Sequence, residues 1–474
     1  MEAGKLRKDA IGLAGIVFMV IATNGPLTAL VGALPTTIAV GNGAGAPAVI
    51  VGLGLLYLLF SVGFTAMSRH VKNAGAFYAY IANGLGRPMG VASAFTAIVA
   101  YGALQLALLA MMGFFLSQAL QDYFNIHLSW WVSALITCAV IQYAGFKNIE
   151  VSGRILGILM VAEILVMLVF DTAVVSHGGG PQGLSFASFE PKTFMGPGFG
   201  AAVVFIIAYY TGFETTAIYA EEARDPTRTI PRATYAAILI ITAFYALSSW
   251  AVVAAYGPSQ VTAIAQKDPG NFWLAIATTF AGKWLADSIS ILMITSLLAA
   301  LISFHNTISR YVFSLAREQL LWQQFAKTHK TQQTPYVASF VQSIVTVVIL
   351  VLFGMSGWDP LLVVMTITAF VSSIGIVAVQ ALTGFSVVCF FWRDHRGVSI
   401  WQRLIAPLLS ALGLLACLVL MLVNRDLLTG GIDTPVIRSL PWDVLAIGVA
   451  GFVVAVWCKF KKPVVYSNLG RTLN

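Results

Sequence analysis

The chain has 474 residues, of which 58% are hydrophobic and only 10% charged, whereas soluble domains run at roughly 45–50% apolar and about 25% charged. That excess excludes an ordinary soluble enzyme and points to lipid as the solvent. The net charge of +8 does not signal nucleic acid, because the basic residues collect where apolar runs end and form no single patch.

Apolar runs of about 20 residues, the length that crosses a hydrocarbon core of roughly 30 Å, recur from end to end. Twelve are read, at about 11–36, 46–67, 89–120, 130–146, 152–175, 198–221, 233–256, 284–308, 336–355, 360–392, 404–424 and 437–459. The first follows basic residues but lacks a small-residue cleavage site, so it reads as a retained span and not a signal peptide. Its middle carries Thr23-Asn24-Gly25-Pro26. Pro26 suits the first turn of a new half-helix, and Gly25 can take the backbone conformation that a break requires. The N–H groups of Leu27 and Thr28 would then point at a cavity, where a helix N-terminus attracts an anionic group such as a carboxylate. The alternative is a proline kink with no ligand.

Residues 76–86 read as a short interfacial helix on the cytoplasmic side, with aromatics suited to the headgroup level. The fifth run, GILMVAEILVMLVF, holds Glu163 among wholly apolar neighbours. Facing lipid would cost several kcal/mol, so this residue must face the bundle. Removal from water disfavours a charged carboxyl group, which makes Glu163 a candidate proton carrier; the alternative is a permanently protonated structural carboxyl.

Beyond a Gly- and Pro-rich outer loop at 176–197, the sixth run is interrupted by Tyr210-Thr211-Gly212-Phe213-Glu214. Membranes tolerate a glycine break and a carboxylate at that depth only where the backbone lines a protein cavity or water path. The carbonyls of Ala208–Thr211 are candidate acceptors for an ammonium group, and Tyr209, Tyr210 and Phe213 offer faces that could close over a substrate. Glu214 is a candidate proton carrier, amine counter-charge or structural acceptor. Glu163 and Glu214 are the only carboxylates read as deep. The run exits through Glu221, Glu222, Arg224 and Arg228 to Ile230-Pro231. Residues 270–281 read as a short outer helix capped near Asn271.

Further along, Thr295, Ser296 and Ser303 in the eighth run, and Thr366, Thr368, Ser372 and Ser373 in the tenth, read as packing residues between helices. His305-Asn306 reads as the exit of the eighth. Cys138, Cys389, Cys417 and Cys458 form no CxxC or Cys/His cluster, so neither a disulfide framework nor a metal site is signalled, and no cofactor is expected.

Two interruptions, each opening a block of five spans (about 11–175 and 198–392), indicate an inverted repeat, with the last two spans outside it. No linker divides the chain, so residues 1–474 are expected to form one membrane domain. Orientation follows from the basic residues. With both termini inside, 22 of the 27 Lys and Arg fall on the cytoplasmic side, and only Lys192, Lys267, Lys283, Arg425 and Arg438 fall elsewhere. The inside set includes Lys5, Arg7, Lys8, Arg69, Lys72, Arg87, Lys147, Lys330 and Arg471.

GFETTAIYAEEARDPTRTIPRA resembles the sixth-span signature of the amino acid–polyamine–organocation transporters. SRHVKNAGAFYAYIANGLGRPMG resembles that family's second-span exit, and SFHNTISRYVFSLAREQLL its eighth-span exit. The resemblance covers nearly the whole chain. It implies an all-α membrane protein with the five-plus-five, leucine-transporter-type fold, broken in spans one and six, with substrate between the breaks. There are three departures. The usual Gly-x-Gly carboxylate cradle reads Thr23-Asn24-Gly25-Pro26, and Ala208 stands where an aromatic gate is common. Glu163 stands where several proton-coupled relatives carry a lysine.

The reading is a secondary transporter of amino acids or related amines in the cytoplasmic membrane. It is expected to be a proton-coupled importer, with sodium as the other coupling ion considered, acting as monomer or homodimer among membrane lipid. The rivals are an exchanger, a polyamine carrier and, from another class, a channel.

Overall fold

The computed structural model describes residues 12–71, 77–146, 153–214, 216, 223–329, 334–428 and 434–470. Among the residues singled out above, Lys5, Arg7, Lys8, Lys72, Lys147, Glu221, Glu222, Lys330 and Arg471 lie outside the described residues, as do positions 215 and 217–220 of the sixth run. The described chain is built of helices and connecting turns, and no strand occurs among the described residues. Helices are the solution available to an open chain in lipid, because they satisfy every backbone polar group internally.

Leu13–Asn24 forms α1 and Thr28–Val40 forms α2, with Gly25 at φ +56° between them. Next come α3 (Ala46–Ser68), α4 (Phe77–Gly84), α5 (Arg87–Phe124), α6 (Trp130–Phe146) and α7 (Gly153–Ser176). Then α8 (Phe199–Ala208) gives way to turns through 209–214 in which Gly212 has φ +116°. After these run α9 (Pro226–Tyr256), α10 (Val261–Lys267), α11 (Phe272–Ala281) and α12 (Lys283–Arg317). The last long helices are α13 (Tyr336–Ser356), α14 (Met365–Arg393), α15 (Ala406–Val423) and α16 (Pro435–Lys461). Proline in the opening turn of α3, α5, α9, α15 and α16 uses a position where a missing N–H costs nothing.

Nine described helices are long and apolar enough to cross a membrane. The other three runs read as spans fall on shorter helices: α1 with α2, α6, and α8. The helix of the eighth run does not end at His305. It continues to Arg317 and buries His305, whose Nε2 lies 2.8 Å from the Ser339 hydroxyl. The aromatics of α4 do not meet an interface either: Phe77, Tyr78 and Tyr80 are buried, and the helix packs on α5 and α14. In α11, Phe272 and Trp273 are buried, and Asn271 is held by Asp268 through its own N–H and side-chain amide.

Two groups of helices frame the breaks. The α1 side is packed by α7, α9 and α12, and α8 is packed by α3, α14 and α15. Close approach elsewhere depends on absent side chains. A Cβ on Gly84 would stand 2.2 Å from the Ser386 carbonyl oxygen of α14, whereas one on Gly52 would meet nothing within 4 Å. Gly84→Val should therefore cost about 1–3 kcal/mol and lower the thermal unfolding midpoint in detergent. Gly52→Val should leave that midpoint in place, and equal midpoints for the two variants would count against this packing.

Candidate functional site

The two interruptions meet. A Cβ added to Gly212 would stand 3.1 Å from Thr23 Cγ2 and 3.5 Å from Asn24 Oδ1. Beside this contact lies a cavity of about 50 Å³, room for a few waters or a small ligand group by the usual ~10–15 Å³ per water. Its polar wall is Thr23, Asn24 and Thr28 from the first break, with Tyr209 and Thr211 from the second. The remaining wall is apolar: Leu104, Ala107, Leu108 and Met111 from α5; Phe205 and Ala208 from α8; Ala300 and Phe304 from α12; Met365 and Ala369 from α14. No side chain with a formal charge is among these lining residues.

Asn24 is 9% exposed; its amide donates to the Val20 carbonyl at 3.1 Å, and its Oδ1 has no partner among the described residues. A buried acceptor left unpaired costs about 1–3 kcal/mol, so a polar ligand in the cavity has something to gain from it. Tyr209 lines the cavity with its hydroxyl 2.8 Å from that of Thr37. Tyr210 and Phe213 turn elsewhere. The Tyr210 hydroxyl donates to the Ile50 carbonyl at 2.8 Å, and its ring stacks on Tyr57 at 5.0 Å. Phe213 packs among Tyr57, Phe60 and Phe64. The carbonyls of Ala208 and Tyr210 accept turn bonds from the N–H groups of Thr211 and Phe213.

Gly25, Pro26 and Leu27 are not among the residues that line this cavity. Pro26 lines a second cavity of about 10 Å³ together with Glu163, Thr295 and Ser296. Glu163 is 4% exposed, and its Oε2 accepts from the Leu27 N–H at 3.3 Å and from the Ser296 hydroxyl at 2.9 Å. The Ser296 hydroxyl in turn lies 3.1 Å from that of Thr28. Pro26 has no N–H, so Leu27 carries the first donor of the new half-helix, and a carboxylate is what such an N-terminus favours. The donor that the sequence aims at a substrate anion is thus held by a carboxyl group of the protein itself. Ser296 also does more than pack helices: it ties Glu163 of α7 to Thr28 of the first break.

Glu214 is 2% exposed and has a different role. Its Oε1 accepts from the Tyr101 hydroxyl at 2.6 Å and its Oε2 from the Gly212 N–H at 2.9 Å. It fastens the second break to α5 and does not line either cavity. A third buried carboxylate corrects the sequence reading. Asp171, 3% exposed, is as deep in protein as the other two, and was missed because it stands near the end of its apolar run.

A helical bundle with two glycine-marked interruptions around a cavity invites comparison with known transporters. The amino acid permease family model matches residues 11–449. The chain belongs to the amino acid permease family. Family members of this kind are transporters and not enzymes, and the nine apolar helices make this one a multi-pass membrane protein. Among its relatives is a branched-chain amino acid permease of Bacillus subtilis, 24% identical over 66% of this chain and 62% of the relative. Another is the aromatic amino acid transport protein of Escherichia coli K12, 27% identical over 62% of this chain and 65% of the relative. A third, an uncharacterised transporter of Mycobacterium tuberculosis, is 27% identical over 61% of this chain. The chain spans 59–65% of the length of these relatives.

The apolar residues of α5, α12 and α14 that wall the cavity carried no sequence signal. A leucine facing a cavity and one facing lipid are the same letter. Tyr101 could have been found as a hydroxyl on a long apolar helix. Tyr101→Phe in this family member should remove one donor from the buried Glu214 carboxyl and lower stability by about 1–3 kcal/mol. Thermal unfolding measures this directly, and an unchanged midpoint would mean that the Tyr101–Glu214 bond does not fasten the second break.

Proposed function

We propose that the chain is a secondary active transporter of neutral amino acids with apolar side chains, coupled to protons through Glu163. The observation that carries this is the cavity at the meeting of the two breaks, with polar residues along one wall, apolar residues along the rest and no charged lining residue. A zwitterion carries its charges on one end and, in this class, an apolar group on the other. Thr23, Asn24, Thr28 and Thr211 are suited to the charged end, with the Asn24 Oδ1 offered to the ammonium group. Leu108, Met111, Phe205 and Met365 are suited to the side chain. A polyamine would need carboxylates in the wall, and a channel would need an open path. The branched-chain and aromatic specificities of the named relatives agree with this substrate class.

In this reading α1 with α2, and α8 with the segment after it, are the broken first and sixth spans of a twelve-span, five-plus-five inverted repeat within one membrane domain. The steep Lys and Arg asymmetry supports both termini inside; the cytoplasmic membrane and import by alternating access belong to the same proposal. Coupling follows from the Glu163 contact. Ionised, the carboxylate holds the Leu27 N–H by a charge-assisted bond. Protonated, it holds that donor less strongly and frees the N-terminus of α2 to shift with the substrate. No Lys, Arg or His pairs with Glu163 among the described residues, so a proton is the natural means of neutralising it.

The test uses purified protein in liposomes with radiolabelled leucine, isoleucine, valine, phenylalanine, tyrosine and tryptophan as probes. Wild type should accumulate at least one of them under an inward pH gradient. Glu163→Gln should still bind that amino acid but lose the gradient-driven accumulation. Accumulation by Glu163→Gln equal to wild type would overturn the assignment and move it to Glu214 or to sodium. Transport of none of the six would overturn the substrate class.

The size of the cavity yields a second outcome. Ala208 lines it where a larger residue would reduce the space. Ala208→Trp should weaken binding of tryptophan and phenylalanine by at least about tenfold more than that of valine, a difference of about 1.4 kcal/mol. Binding constants across the series check this, and an equal loss for all would count against the placement.

A further inference from the structure

Asp171 has no part in the transport cycle outlined so far, yet it lies on the same face of α7 as Glu163. The buried positions of this helix are Met160, Glu163, Met167, Phe170, Asp171 and Val174, while Ile158, Val161, Leu165 and Val175 are exposed. The separation of eight residues between the two carboxyl groups is two helical turns and about 12 Å. Asp171 is the one nearer Ser176, the end assigned to the outside.

On α9, one hydroxyl group meets Asp171 and a second lies one turn further in. The Ser248 hydroxyl donates to Asp171 Oδ2 at 2.7 Å, while Oδ1 has no partner among the described residues. One turn away on the same helix, the Tyr245 hydroxyl is buried, also without a partner there, and within electrostatic reach of Glu163. Tyr245 packs edge-on against Tyr209 of the main cavity, with ring centroids 5.9 Å apart. A carboxyl anchoring α7 to α9 needs only the Ser248 bond. It does not need a second, bare oxygen in an apolar interior, and burying an unpaired carboxylate oxygen is expensive.

The groups that could interfere are few. Of the helices packed on α7, α1 and α11 carry no titratable residue. α9 carries Arg228, Arg232, Tyr235, Tyr245 and Tyr256, and α12 carries Lys283, Asp287, His305, Arg310, Tyr311 and Arg317. Of these, Tyr245 is within electrostatic reach of Glu163, and Asp171 forms no ion pair among the described residues.

We propose that Asp171 is the outer station of a proton relay whose inner station is Glu163, with the Ser248 and Tyr245 hydroxyls between them. A proton from the outer solution binds the Asp171 carboxylate. It then passes inward, so that Asp171 returns to its ionised form as Glu163 becomes the neutral acid. On the way the Ser248 and Tyr245 hydroxyls each take a proton from the outer side and give their own to the inner side, so that both end as neutral hydroxyls and one proton has moved from Asp171 to Glu163. The inference rests on the coupling role proposed for Glu163.

The experiment measures initial, pH-gradient-driven uptake in liposomes, using the amino acid that wild type accumulates, as a function of outside pH. Asp171→Asn keeps the Ser248 bond but cannot carry a proton. It should slow driven uptake at least about tenfold, with the greatest loss at the highest outside pH, while the substrate Kd remains at the wild-type value. Asp171→Glu should restore the rate and rules out a folding defect as the cause. A wild-type rate and pH profile in Asp171→Asn, with Glu163→Gln uncoupled, would overturn the relay and leave the Glu163 reading standing. Retained coupling in Glu163→Gln would overturn both. Equal loss in Asp171→Asn and Asp171→Glu would show a purely structural carboxyl.

Discussion

An apolar interior gives a carboxyl group no water, so each acid buried there must be met by donors or give up its charge. Glu163 is met by a backbone N–H and a hydroxyl, and both come from elements that frame the cavity. The arrangement depends on Pro26, which cannot donate, and on Gly25, whose φ of +56° turns the chain between α1 and α2. Without that break Leu27 would have spent its N–H inside a continuous helix, and Glu163 would have lost its backbone partner. The break, the carboxyl group and Ser296 are therefore one unit.

The second break is built by the same physics with a different result. Glu214 accepts from the N–H of Gly212, two residues earlier, and from Tyr101 on α5. This local closure caps an irregular turn inside the protein, as irregular backbone at membrane depth requires. One acid is thus committed to holding its own segment, while the other spans three segments and adjoins a cavity about large enough for a single water. That contrast is why the coupling role is given to Glu163.

Much of this was legible in the sequence, for identifiable reasons. Gly25-Pro26 and Gly212 announce breaks because few residues interrupt an apolar helix. Glu163 stands out because it is an acid among aliphatic neighbours. What was not legible is direction around an axis. Tyr209 faces the cavity while Tyr210, one residue on, faces Ile50 and Tyr57, and no local rule separates them once the helix has unwound. Aromatic residues suit an interface and a core equally, so the sequence of α4 reads as interfacial although its rings are buried. Asp171 escapes a reading of the sequence because an acid near the end of a span usually reaches water, whereas here the helices packed on α7 bury it and Ser248 of α9 meets it.

The central claim is that the charge state of Glu163 and occupation of the cavity depend on each other. Linkage makes this measurable as protons taken up or released when substrate binds. Calorimetric titration of the purified protein with its amino acid, in buffers of different ionisation enthalpy near neutral pH, counts those protons. The account predicts net proton uptake on binding in the wild type and none in Glu163→Gln. Binding without proton uptake in the wild type, or the same uptake in Glu163→Gln, would contradict it.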